Sequence, residues 1–408
     1  MILTLAIRNV WRNGRRTALT VAGIGIALAL MFTSMAMQNG AWNMMITAAI
    51  QATAGHVVVQ ADGWQEERDP NLVLQRSTEV QQALLEAYPD AVVVRRVFLG
   101  GLLSSPTGSQ AVAVQGVEPV REAELTLLDD QLVDGTWLPD DRAIVVGQRL
   151  AEILAVELGD KVVLMAQVGT EELESRLFRV RGTFRTGNDT LDAFAAFVPL
   201  AAAQELMPFD DPAHQVAVVL PSIGRGKLDT SRAAQALAGR DGLEVLSWSE
   251  ALPMLEEQQR VDTQMNVYIF VLMGLIVAIG VTNTVLMSVM ERIREFGVLL
   301  SIGMRPRMLA GMIVLETLVL GSVGAVVGLL LSIWPIGYLT THGIDYGDLM
   351  ANNSAGGNVP IDSVLRAHAD VPQMLQLAVV GALVAVLAAL YPARKATRLT
   401  PVEAMHHH

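Results

Sequence analysis

Four long stretches without charge constrain this chain more than any other feature. They run Thr17–Met37, Thr263–Met290, Met308–Thr341 and Val371–Ala393, and Glu316 alone interrupts them. A helix needs roughly 20 residues to cross a hydrocarbon core about 30 Å thick, and each stretch meets that length. In lipid, backbone groups must be satisfied within the segment, so such stretches cross as helices. The chain therefore reads as an integral membrane protein, with its soluble mass between the first and second spans.

Charge fixes the expected orientation. Arg8, Arg12, Arg15 and Arg16 precede the first span, Arg292, Arg294, Arg305 and Arg307 lie between the second and third, and Arg394, Lys395 and Arg398 follow the fourth. Positive charge beside span ends marks the cytoplasmic side. Both termini are then expected inside and the 39–262 loop outside. That loop carries 17 Lys/Arg and 33 Asp/Glu, a net of −16. An acidic outer domain argues against nucleic acid as a partner. The chain has no Cys, which excludes disulfides and thiolate metal sites. No metal site or catalytic triad emerges from the scattered His, Ser and Asp residues, and His406–His408 reads as the remnant of an affinity tag.

The expected organisation follows from these signals. Residues 1–16 form an amphipathic helix on the inner leaflet, 17–54 the first span and a stalk, and 249–290 a second stalk and span. Between the stalks, 55–248 forms an α+β domain from β-branched runs punctuated by Gly and Pro, with an inserted subdomain over about 116–200. The 291–307 segment joins spans two and three. The third span takes 308–341, a Gly/Asn-rich external loop 342–370, the fourth span 371–393 and a tail 394–408. The long apolar helix of span two is expected to run unbroken into the charged ERIREFG helix and to turn at Gly303. Alternating charges beside Phe296, Val298 and Leu299 suit either a groove on a soluble partner or an ordinary charged loop.

Three motifs carry a resemblance. They are Asn283 with Met287–Leu299 and Ile302–Gly303, then Tyr391–Ala396 with Thr400–Ala404, and Arg8–Asn9 with Arg15–Thr17 and Leu19–Thr20. In this order at the span ends they resemble the FtsX/MacB superfamily of ABC transporter permeases, and among these the lipoprotein-releasing permeases. The resemblance implies a type VII, mechanotransmission architecture: four transmembrane helices with a large extracytoplasmic α+β domain of porter-like and Sabre-like parts. It implies a bacterial inner membrane, a second permease protomer, and two copies of a cytoplasmic ATPase subunit that bind ATP and Mg. This chain itself has no G-x-x-x-x-G-K-[ST] loop for phosphates, so it is expected to be a non-catalytic subunit holding no cofactor. The coupling role falls on Glu291, Arg292, Arg294, Glu295, Phe296, Gly297 and Gly303, with Arg394 and Lys395 flanking the same interface. Lipoprotein cargo and a periplasmic carrier are the implied partners beside membrane lipids. MacB-type export of peptides or small molecules and FtsX-type signalling to a cell-wall hydrolase are the alternatives.

Inside the spans, Glu316 is costly and marks either a cross-helix partner for an Arg or a proton- or cargo-handling group. Gly321, Gly324 and Gly328 form a small-residue face for close helix packing. Met31, Phe32, Met35 and Trp42, with Tyr268 and Leu272, are the candidate access path for acyl chains, adaptable because Met is flexible; plain lipid contact is the other reading.

Overall fold

A computed structural model of the chain describes residues 14–125, 131–167, 173–186, 189–220, 226, 228–345 and 364–397. The amphipathic helix expected before Gly14, most of the 342–370 loop and the C-terminal tail after Thr397 lie outside the described residues. The chain divides into two compact units. One takes the described residues up to Ala41, Gln259–Ile344 and those from Leu365 onward; the other takes Trp42–Gln258 and the few beside Val364.

The first helix, α1, spans Gly14–Ala49 and passes into a π-helical turn, Ile50–Ala54, that ends at Gly55 with φ +68°. Beyond it the outer unit begins. Strand β1 (Val57–Ala61), α2 (Ser77–Ala87) and β2 (Val92–Ser104) come first. Then follow β3 (Ser109–Val117), β4 (Leu132–Gly135), β5 (Ala143–Gly147), α3 (Gln148–Leu154), β6 (Lys161–Gln167), β7 (Leu173–Phe184), β8 (Ala195–Pro199) and α4 (Leu200–Gln204). The unit finishes with β9 (Gln215–Val219), α5 (Ser231–Ala236) and β10 (Leu243–Ser247).

Two sheets share one strand. Strands β10, β1, β9 and β2 lie side by side in that order, all antiparallel. With α2 and α5 this is the β-α-β-β-α-β arrangement of a ferredoxin-like half. Both faces of this sheet are buried. Val57, Val59, Val93, Val216 and Val218 pack under Val80 and Leu84 of α2 and Ala233 of α5. Val94, Ala217 and Val219 pack on Trp42, Ile46, Ile50 and Trp248. Burial on both sides explains why the strands read as apolar runs rather than alternating patterns. The far half of β2 continues into a second sheet, where β2 pairs β3, β3 pairs β8, β8 pairs β5, β5 pairs β7, β7 pairs β6, and β6 returns to β2. The ring is closed, and alternate residues such as Leu99, Val114, Ile144, Leu164, Phe178 and Val198 fill it.

The inserted part thus begins earlier than the expected position near 116 and ends later than 200. Thirteen-residue β2 is long enough to serve both sheets. At Gly101 a Cβ would lie 2.5 Å from the Met165 carbonyl oxygen, so glycine lets β6 close on β2. The insert leaves the frame at about Val97 and rejoins it at His214, whose N–H donates to the Arg96 carbonyl at 3.0 Å.

Arg96 also anchors the end of the π turn. Fully buried, it donates to the carbonyls of Gln51 at 2.7 Å and Thr53 at 2.8 Å, and pairs with buried Glu122 at 2.7 Å. The Gln215 amide donates to the same Thr53 carbonyl. Helix ends leave carbonyls without intrahelical partners, and here a guanidinium meets them. Breaking such a buried pair from one side costs about 3–5 kcal/mol.

The remaining helices are α6 (Pro253–Glu291), α7 (Ile293–Ser301), α8 (Pro306–Thr341) and α9 (Val371–Thr397). Helices α1, α6, α8 and α9 are long and apolar enough to cross a membrane. Lipid gives apolar helices little reason to leave one another's company or to seek it, so close packing of small residues decides their contacts. A Cβ on Gly324 would lie 2.7 Å from Ile24 Cγ2, one on Gly328 2.8 Å from Leu28 Cβ, and one on Gly321 3.0 Å from Ala385 Cβ. The glycine face of α8 therefore seats α1 and α9. Helix α6 is the least covered: Tyr268, Leu272, Ile276 and Ile279 are all exposed.

Candidate functional site at the α6–α7 junction

Helix α6 does not continue unbroken into α7. Arg292 departs from helical geometry, with φ −110° and ψ 15°, and separates the two. The reason lies in its side chain. Arg292 is 8% exposed and donates to Glu316 Oε2 at 3.1 Å and to Glu295 Oε2 at 3.0 Å, with its guanidinium 5.1 Å from the Phe296 ring centre. A guanidinium and a carboxylate removed from water hold each other far more strongly than an exposed pair would, and neither is tolerable there alone. Glu316 on α8 thus has an Arg partner on the neighbouring segment.

A second pair sits beside the first. Arg16 of α1 meets Glu291 at the end of α6 at 2.8 Å and also donates to the Thr284 carbonyl. Arg16, Thr17, Thr20, Ser288, Arg292 and Glu316 line a small cavity of about 50 Å³. The two pairs join α1, α6, α7 and α8 at one end of the membrane unit. In the sequence Arg16 is one of several positive charges and part of the opening motif; nothing in its spacing distinguishes a paired Arg from a solvated one.

The structure sorts the expected coupling residues into two sets. Arg292, Phe296 and Gly297 are buried in the membrane unit. Glu291, Arg294, Glu295 and Gly303 are exposed, together with Val298 and Ile302. Gly303, at φ +99°, makes the turn after α7, and Pro306 opens α8. Arg394 and Lys395 are exposed in the last turn of α9, where cations complement the helix dipole.

The residues of the expected acyl access path lie in three places. Phe32 is fully buried and Met31 is 6% exposed, both inside the core shared by α1, α6, α8 and α9. Trp42, also 6% exposed, packs in the outer unit against Ile46 and Trp248. Their apolar character serves packing, and Met35 is only partly covered. Tyr268 and Leu272, at 65% and 61%, do lie on a surface. Among the described residues no three His, Asp or Glu side chains converge to hold a metal ion.

Comparison with known proteins agrees with this layout. The family model for the MacB-like periplasmic core domain matches residues 17–233, and that for the FtsX-like permease C-terminal matches residues 267–401. The lipoprotein-releasing system transmembrane protein LolC of Neisseria meningitidis is 23% identical over 98% of this chain and 97% of its own length. The macrolide export ATP-binding/permease protein MacB of Nitrobacter winogradskyi is 27% identical over 78% of this chain and 50% of its own. The solved periplasmic region of MacB from Actinobacillus actinomycetemcomitans covers 50% of this chain and 94% of its own, at 12% identity and a TM-score of 0.35. With one family model over more than half of its residues and a second over the α6–α9 region, the chain belongs to the FtsX/MacB family of ABC transporter permeases.

Proposed function

We propose that this chain is the permease subunit of a transporter that extracts lipoproteins from the inner membrane and passes them to a periplasmic carrier. The observation that carries the reading is similarity along nearly the whole length of a lipoprotein-releasing protein, outer unit and helices alike. On this reading two copies of a separate ATPase subunit bind ATP and Mg and close against the exposed side of α7. Arg294, Glu295, Val298 and Ile302 form that side. The pull passes to α8 through Arg292–Glu316 and to α1 through Glu291–Arg16. The outer unit, with its porter-like frame and Sabre-like barrel, moves in response in the periplasm, beside a second protomer.

The test is reconstitution of the chain with its ATPase in liposomes bearing a triacylated lipoprotein and a soluble acceptor. ATP should drive the lipoprotein into the soluble fraction. Arg294→Glu should abolish that release while the permease still inserts. No release from the wild type, with ATP-dependent movement of a peptide or small molecule instead, would replace this reading with MacB-type export, which the macrolide-export relative favours.

A further inference from the structure

The outer unit carries a cleft that none of the foregoing uses. It lies against the outside of the barrel where β2, β3 and β8 run side by side, and holds about 510 Å³. Its floor has an ordered pattern. Gly100 pairs across to Ala113, and Ala113 to Ala195, giving a row of the smallest side chains over three strands. Two residues along each strand stand Phe98, Gln115 and Phe197, also in register. Residues two apart on a strand share a face, and neighbouring strands lie about 4.8 Å apart, so the small row is a trough about 10 Å long. The large row forms one wall about 6.6 Å away.

Three features point to an occupant rather than to an accident of packing. The buried Nε2 of Gln115, midway along the wall, has no hydrogen-bond partner among the described residues. A buried donor left unpaired costs about 1–3 kcal/mol, which a ligand carbonyl or carboxylate oxygen would recover. Buried Trp64 stacks on Phe98 with ring centres 5.6 Å apart, completing an aromatic corner. At the rim, the Arg68 guanidinium sits 4.2 Å above the Trp64 ring. In an outer loop of net −16, a rim cation is where an anionic head can approach.

We propose that this cleft binds a single acyl chain through an aromatic-walled trough, with its carbonyl or carboxylate head taken by Gln115 and Arg68. The Gly and Ala row beside the aromatic wall offers apolar contact to an alkyl chain. The source of the chain is either cargo or free fatty acid from the membrane; only the first rests on the lipoprotein reading above.

The full chain in lipid nanodiscs, labelled with a photoreactive palmitic acid and mapped by mass spectrometry, tests this. Label should fall on peptides holding Gly100, Ala113 and Ala195 as well as on the spans. A Cβ on Gly100 meets nothing within 4 Å, so Gly100→Phe should fill the trough without disturbing the fold. It should cut cleft labelling about tenfold, a difference of about 1.4 kcal/mol, with span labelling and melting temperature unchanged. Exposed Ala113→Leu serves as a second filling variant if the first unfolds. Competition by a triacylated lipopeptide assigns the chain to cargo; competition by palmitate alone assigns it to free fatty acid. Label confined to the spans, or cleft label unmoved by a folded filling variant, overturns the proposal. In that case intact ATP-driven release would still leave the lipoprotein reading in place.

Discussion

Protonating His214 would place a second N–H against one already there. Its Nδ1 accepts the Phe98 N–H at 3.1 Å, and its Nε2 lies 3.1 Å from the Pro70 carbonyl, so the neutral ring with hydrogen on Nε2 satisfies both neighbours. Burial lowers its pKa from the ordinary value of 6.5. The unfolded chain therefore takes a proton as pH falls through about 6.5, while the folded chain does not. Stability from this group is present above that pH and declines below it, by at most about 1.4 kcal/mol per unit. Melting temperatures of the wild type and His214→Gln between pH 7.5 and 5.5 check this: the wild type should lose more on acidification, and parallel curves would refute the assignment. Little of this was legible beforehand, because a lone His in a sequence does not disclose its neighbours. The same holds for Arg292, whose motif pointed to a partner surface while its side chain turned inward to Glu316.

Elements were read more readily than residues. The strand, helix, turn and strand within 143–165 coincide with β5, α3 and β6, because β-branched runs, one amphipathic turn pair and Gly159-Asp160 each declare themselves locally. Pairing between distant strands does not, so a β2 that belongs to two sheets came out as a boundary near 116. The break between α6 and α7 is hidden for the same reason, since it answers to a residue 24 positions away. The glycine spacing on α8 was informative because closeness has few causes in lipid. Gly324→Val should force α1 and α8 apart and cost about 1–3 kcal/mol. Thermal unfolding in detergent should show the loss, and Ile24→Ala in the same chain should restore part of it; a neutral Gly324→Val would mean that the two helices have room.

At the scale of the molecule, the uncovered length of α6 asks for a neighbour. The four apolar stretches could be read because their length and lack of charge are local properties, whereas what lies against them belongs to the assembly. A second protomer is the proposed neighbour, and a chain without cysteine is well suited to asking. Leu272→Cys should form a disulfide-linked dimer in oxidised native membranes, seen as a doubled mass on non-reducing gels, whereas buried Phe32→Cys should not; monomer alone at Leu272 would place that side of α6 against lipid. Arg96 and Gln215, where the insert departs and returns, are direct antiparallel partners, so the frame could close there with a simple hairpin. The barrel, its trough included, can then be redesigned or exchanged as a cassette without breaking the frame's own pairing. The ion pairs from Arg95 and Arg96 to Glu118, Asp211 and Glu122 are the places where a change on one side obliges a matching change on the other.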